Sequence, residues 1–349
     1  MGKTNVKLGQ IFEVVKPLIK TTLYQSARLP LVKRALRFWQ GSCAIFCLHR
    51  VLPDEQVVYD IGPNSNLALH KSRFREMLEF LSNRYRVVSL NKLIDHLQNS
   101  SREFVVCLTF DDGYRDNMEH ALPILEQFNC PATVFITTRF PEGDTWMWWY
   151  ELWEYLQEKE RLEIEFEGTQ RIWDCSDNSK KNRCYLDLSS WIMMLPMERQ
   201  KALLSVVTKT EERHSYSNLC LNWDDIKKLD RHPLVTIGAH THSHPVLSME
   251  SKVTARKEIE KSKELLEDNL GHSIEHFAYP FGTSNEASHR EYQMAKECGF
   301  RSASTANCHT ARNTGLFCLP RYGLNISSNM YSIEARLGGL SNALGKQLS

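Results

Sequence analysis

The chain has 349 residues, enough for one large domain or for a domain carrying a sizeable insertion. Its composition is 42% hydrophobic and 24% charged, and a net charge of +1 lacks the basic excess of a nucleic-acid binder. No apolar run approaches the roughly 18 residues needed to span a bilayer. Lys3, Lys7, Glu13, Lys16 and Lys20 break up any apolar core near the N-terminus, so no secretory signal is expected there. Met1-Gly2-Lys3-Thr4-Asn5-Val6 also lacks the Ser or Thr of a myristoylation site. The ten cysteines are scattered without a C-x-x-C pair, and the expected compartment is a reducing cytoplasm.

Residues 1–41 read as a basic amphipathic helical arm. Ile11, Val14, Val15, Leu18, Ile19 and Leu23 recur at helical spacing, with a kink expected at Pro17. A second run, Val32, Ala35, Leu36 and Trp39, starts near Pro30 and stops at Gly41. The arm carries Lys3, Lys7, Lys16, Lys20, Arg28, Lys33, Arg34 and Arg37 against Glu13 alone. Such a segment either packs on its own domain or makes peripheral contact with an anionic membrane, here the inner face.

Residues 42–332 alternate strand and helix, the pattern of a parallel α/β sheet or barrel. Cys43–Leu48 forms an apolar strand delivering His49 into a loop. Two helices follow, then the run Phe104–Leu108 ends in Thr109-Phe110-Asp111-Asp112-Gly113. Two adjacent carboxylates at a strand end repel each other, and a bound cation or a proton-transfer role offsets that cost. A helix over 116–128 leads to the strand Ala132–Ile136.

From 140 to 221 the rhythm breaks, which reads as a mostly helical insertion. Trp146, Trp148, Trp149 and Trp153 crowd together there at a spacing that suits packing, with one or two free to face a cleft. Charged helical stretches and a polar loop, Cys175 to Lys181, follow. The alternation resumes at Asn222, with Asn222 or Asp224 placed to cap a helix. The strand Val235–Ala239 then ends in His240-Thr241-His242-Ser243-His244. After a long helix over 252–269, Phe277-Ala278-Tyr279-Pro280-Phe281-Gly282 makes another strand end and tight turn. Segments 300–305 and 317–324 read as the last strands, and 333–349 as a tail. Chemistry in such folds gathers at the carboxyl ends of the strands, where His49, Asp111 and Asp112 fall.

His240 and His244, four residues apart, with one carboxylate make a three-ligand set that leaves room for water. Such a metal lowers the pKa of its water from about 15.7 toward 7, and a neighbouring carboxylate can act as general base. His242 leaves open which pair binds.

Thr109-Phe110-Asp111-Asp112-Gly113 together with His240-Thr241-His242-Ser243-His244 resembles the polysaccharide deacetylase family, carbohydrate esterase family 4. The resemblance covers roughly residues 43–139 and 222–324. It implies a distorted (β/α) barrel that removes acetyl groups with a divalent metal, usually zinc, with cobalt, nickel, manganese or iron as alternatives. It makes Asp111 the general base, Asp112, His240 and His244 the metal ligands, and Thr241 part of the acetate pocket. The stretch from Phe277 to Gly282 is similar to the family's third motif, whose Tyr279 and Phe281 would serve substrate and oxyanion, the latter through a backbone N–H.

Two departures stand out. Ala278 occupies a position where the family commonly has an arginine that orients the base, and Arg321 is the candidate substitute. No Leu-x-His motif follows the third motif; instead Ile45-Phe46-Cys47-Leu48-His49 is similar to that strand, as in circularly permuted barrels of the poly-N-acetylglucosamine deacetylase type. That arrangement makes His49 the general acid, with His309 a second candidate. The expected function is deacetylation of an N-acetylated amino sugar in a glycan or lipid-linked precursor for surface polysaccharide. A non-sugar amide on the same metal site, and a catalytically inactive carbohydrate-binding protein, stay open as alternatives.

Overall fold

The computed structural model describes residues 22–56, 61–99, 103–308, 310 and 315–344. Most of the first arm helix and His309 lie outside them. In chain order the strands are β1 (Cys43–Leu48), β2 (Arg50–Leu52), β3 (Ala68–His70), β4 (Arg86–Val87), β5 (Val105–Phe110) and β6 (Ala132–Ile136). They continue with β7 (Arg161–Phe166), β8 (Thr169–Asp174), β9 (Val235–Ala239), β10 (His276–Ala278), β11 (Ser302–Ser304) and β12 (Tyr322–Gly323).

The main sheet has the order β11-β10-β9-β6-β5-β1-β12, with β4 beside the start of β5, and its strand pairs are parallel. Strands β1 and β5 are buried at every position, as the continuous apolar runs of a two-sided parallel sheet require. The stretch 316–324 joins the two edges. Ala303 and Thr305 donate to Leu316 and Leu319, while Leu324 donates to the Cys47 carbonyl. The result is a distorted (β/α) barrel whose strands all deliver their carboxyl ends to one rim.

Helices cover the outside for reasons visible locally. Helix Lys71–Arg84 buries Phe74, Met77, Leu78 and Leu81, an i, i+3, i+4, i+7 stripe. Helix Trp223–Asp230 starts where expected, with the Asn222 side chain accepting from Asp225 N at 2.9 Å. The segment expected as one helix over 116–128 is instead a π-turn, Asn117–Ala121, followed by an α-helix, Leu122–Gln127. Pro123 sits in the first turn of that helix, where a missing N–H costs least.

Between β6 and β9 the chain builds a second core, with Trp148, Trp149, Leu188 and Leu203 among its buried members. Three helices, Trp148–Gln157, Asn178–Met193 and Met197–Thr208, surround it. The charged stretch 161–174, expected to be helical, is the antiparallel hairpin β7–β8. Its first strand alternates exposed and buried residues, and Glu167 and Gly168 at the turn both have positive φ, the two-residue geometry that suits a twisted hairpin. The Asn178–Met193 helix begins inside the expected polar loop, capped by Asp177.

His276 on β10 is fully buried, hydrogen-bonded through Nε2 to Asn91 Oδ1 at 2.7 Å and through Nδ1 to Ser302 Oγ at 2.9 Å. Burial, helped by the Arg301 charge, pushes its pKa down to about 4. The ring therefore stays neutral in the folded chain while the unfolded chain protonates near 6.5, so stability is full above about pH 6.5 and falls as pH drops toward 4. The window is worth about 3 kcal/mol on the one-unit equivalence of 1.36 kcal/mol. Urea unfolding of His276→Gln beside wild type should show the variant with a flatter pH dependence across that range; parallel curves would remove His276 as the cause.

Candidate active site

The site gathers at the carboxyl ends of β1, β5, β9 and β10. After β5 the chain turns sharply through Asp112 and Gly113, both with positive φ (75° and 81°). A left-handed aspartate costs energy that a loop position does not by itself repay. Thr241 (65°), His244 (60°) and Phe281 (59°) share that conformation, so the strained non-glycine residues concentrate at this rim.

Asp112, His240 and His244 are all buried and bring one ligand atom each to within 4.8 Å of one another. His240 Nε2 and His244 Nε2 lie 3.4 and 3.2 Å from Asp112 Oδ1. The His240 Nδ1–H donates to the Ala278 carbonyl at 2.8 Å, which leaves the Nε2 lone pair facing the carboxylate. Among the described residues, Asp112 Oδ1 has no hydrogen-bond donor. Lone pairs and an anion converging on one buried point are what a divalent cation satisfies, and the donor set of two imidazoles and one carboxylate fits zinc-like metals. His242 points elsewhere, with Nδ1 at 3.0 Å from Thr138 Oγ1.

Asp111, beside this cluster and also buried, is gripped by Arg321. The guanidinium donates Nη1 to Oδ1 and Nη2 to Oδ2, both at 2.7 Å, and is itself fully buried. Its remaining donors reach the Thr305 carbonyl and Thr109 Oγ1, each at 3.0 Å, so the fork is held in one orientation. Cys47 Sγ–H donates to Asp111 Oδ2 at 3.2 Å. Burial pushes Asp111 up, but the Arg321 charge, with His240 and His49, outweighs it and brings the pKa to about 2. Asp111 is therefore ionised throughout the neutral range, and the guanidinium that holds it is that of Arg321.

His49 lies just past the end of β1, one of its ring nitrogens within 4.8 Å of an Asp111 oxygen and of Cys47 Sγ, and among the described residues its buried Nδ1 has no hydrogen-bond partner. Burial lowers its pKa, against the pull of Asp112 and Asp111. Thr241 is buried in the histidine turn, its Oγ1 accepting from His244 N at 3.1 Å. Phe281 packs its ring edge-on to His244, centroids 4.8 Å apart, and among the described residues no acceptor takes its backbone N–H. Tyr279 is not brought into the cleft; its side chain is in the barrel core and its hydroxyl donates to the Phe317 carbonyl at 3.0 Å.

A cleft of about 280 Å³ opens over Asp112, His240, His244 and His49. Trp148 and Trp149 form part of its wall, with Tyr185, Ser189 and Met193 from the Asn178–Met193 helix and Leu67 opposite. Three supports escaped sequence reasoning. Arg50 donates to Asp116 at 2.8 Å and to the Tyr150 hydroxyl at 3.0 Å, tying the His49 strand to the tryptophan helix. Asp116 in turn accepts from Val51 N at 2.8 Å. Glu258 accepts from Ser243 N at 2.8 Å and Ser243 Oγ at 2.6 Å, which fixes the histidine loop. Only the adjacency of Arg50 to His49 could have flagged any of them.

Comparison with known proteins follows the same lines. The family model described as polysaccharide deacetylase matches residues 98–168 and 190–303, which include Asp111, Asp112, His240 and His244 but neither His49 nor Arg321. No curated protein matches the chain. Among solved structures, the Streptococcus pyogenes deacetylase PplD in complex with acetate superposes with a TM-score of 0.57 at 18% identity, covering 84% of this chain and 97% of that one. IcaB from Ammonifex degensii gives 0.54 at 17%, covering 86% and 97%. A de-N-acetylase from Aggregatibacter actinomycetemcomitans gives 0.54 at 15%, covering 84% and 98%. These likenesses extend the shared barrel well beyond the residues the family model matches. With more than half of its length matched by that model, the chain belongs to the polysaccharide deacetylase family, hydrolases acting on carbon–nitrogen (amide) bonds.

Proposed function

We propose that the protein is a metal-dependent deacetylase acting on an N-acetylated amino sugar of a glycan or lipid-linked glycan precursor, in the assembly of surface polysaccharide. The observation that carries this reading is the buried convergence of Asp112, His240 and His244 beside an Arg321-held Asp111 at the floor of a cleft. Asp112, His240 and His244 would hold the cation, zinc by preference. When bound, it polarises the acetyl carbonyl and makes water easier to deprotonate.

The protein's own groups divide the remaining work. Asp111, ionised and oriented by Arg321, takes the proton of the attacking water as its oxygen bonds to the acetyl carbon. The Phe281 N–H stabilises the charge developing on the carbonyl oxygen. His49, which also lines the cleft, gives a proton from its protonated ring to the nitrogen as the carbon–nitrogen bond breaks, releasing acetate and a free amine. Apolar surface from Trp148, Trp149 and Leu67, interrupted by Asn66 and Ser189, suits a neutral ring with one apolar face.

Metal content and acetate release from N-acetylglucosamine oligomers, measured on wild type, Asp112→Ala and His240→Ala, test this. One divalent ion per chain is expected in wild type, with metal and acetate release lost together in both variants. A wild type that binds no metal after reconstitution would overturn the reading. Metal without acetate release, from oligomers or from lipid-linked sugar, would overturn the substrate.

A further inference from the structure

We infer that the chain carries a second, weaker metal site, made by Cys47, His49 and Asp111, which takes a thiophilic divalent cation. Cys47 has no part in the mechanism above, yet it is buried two residues before His49 and touches the base. Its Sγ–H donates to Asp111 Oδ2 at 3.2 Å. Cys47, His49 and Asp111 each bring one ligand atom to within 4.8 Å of the other two, the same closeness as in the Asp112, His240 and His244 set. Among the described residues only these two groups of three converge in this way.

The donor types select the ion. A thiolate, an imidazole and a carboxylate favour zinc-like metals over magnesium or calcium, which take oxygen ligands. Around a zinc-like ion such ligand atoms stand roughly 3.4 to 3.6 Å apart, so sulfur and oxygen are already near the required spacing. The cation replaces the thiol proton. The S–H bond breaks and its proton leaves to solvent as the sulfur–metal bond forms, and Asp111 Oδ2 then meets the cation where it had met the proton. The two Arg321 bonds to Asp111 use other lone pairs and stay in place. His49 brings a ring whose buried Nδ1 has no hydrogen-bond partner among the described residues. It also lines the cleft, which gives the ion a way in and a water for its fourth position. The Arg321 charge beside Asp111 opposes a second cation, which makes this the weaker site. On the roles proposed above for Asp111 and His49, an ion here occupies base and acid together, so excess zinc stops the reaction that the first ion supports.

Cobalt(II) titration of the metal-free full chain, read by absorption, tests the site without turnover. The first equivalent, on Asp112, His240 and His244, has no sulfur ligand and should give only the weak visible bands of cobalt. The second should add a sulfur-to-cobalt charge-transfer band in the near ultraviolet. Cys47→Ser, which keeps a hydroxyl for Asp111, should lose that band and keep the first equivalent. His49→Gln should weaken the second equivalent about tenfold. Thermal unfolding of each variant checks that the fold persists. No second equivalent in wild type, a sulfur band with the first equivalent, or a sulfur band that survives in Cys47→Ser would overturn the site. Acetate release should then fall as zinc is raised past one equivalent, need about tenfold more zinc to fall in Cys47→Ser, and be unaffected by the same excess of magnesium. A second ion bound through Cys47 with undiminished acetate release would support the site and overturn the roles given to Asp111 and His49. Absence of acetate release at every zinc level would overturn the deacetylase reading, while the cobalt spectrum still decides the site.

Discussion

Replacing Arg321 with leucine is expected to destabilise the fold by about 3–5 kcal/mol and to lower acetate release at least a hundredfold. Arg321 and Asp111 are both buried, and their two 2.7 Å bonds are the main compensation for taking the charges out of water. Leucine leaves a buried carboxylate facing apolar surface. Burial, the largest influence on Asp111, would then act unopposed by the guanidinium, so the pKa rises from about 2 and the group takes up a proton. A protonated Asp111 cannot accept one from water. Arg321→Lys keeps the charge but not the fork, and should recover part of the stability while leaving the carboxylate free to swing. Guanidinium unfolding read together with acetate release separates the two losses. A leucine variant with wild-type turnover would mean that Asp111 needs no orienting partner.

Asp111→Asn is expected to retain bound metal and lose activity by a factor of about 10² to 10⁴. Asparagine keeps the shape and one acceptor oxygen for Arg321, but its amide cannot take a proton. Asp112, the adjacent carboxylate, should behave differently: its loss removes a ligand and the metal with it. The pair of variants therefore separates proton transfer from metal binding at neighbouring positions. Metal analysis and acetate release on the same samples decide it, and an Asp111→Asn enzyme within fivefold of wild type would remove Asp111 as the base. Arg321 is left with half of its partner in this variant, so the assay belongs well below the variant's unfolding midpoint.

How much of this was legible in the sequence depends on how far each signal reaches along the chain. The strand ends at Asp111, His240 and Phe281 are local patterns: an apolar run, then polar residues the run cannot absorb. They come together because every strand of a parallel sheet points its carboxyl end the same way. The hairpin β7–β8 was legible but misread. Arg161-Leu-Glu-Ile-Glu-Phe166 is rich in charge and in good helix formers, yet its period is two, and the period decides.

By itself, then, the sequence determined the alternation of strand and helix, the adjacency of two carboxylates at a strand end, and the histidine cluster 240–244, which the family resemblance narrowed to the candidate ligand set Asp112, His240 and His244. Tertiary structure alone decided that Arg321, 210 residues beyond Asp111, is its partner. It likewise decided that the Tyr279 side chain belongs to the core, and that the Asn178–Met193 helix supplies a wall of the cleft. The physical reason is common to all three. Periodicity and capping are energies between near neighbours in the chain, whereas a buried ion pair, a core contact and a cleft wall depend on which strands lie side by side. That order is set by closing the whole sheet, with 316–324 bridging its two edges, and no single stretch of sequence contains it.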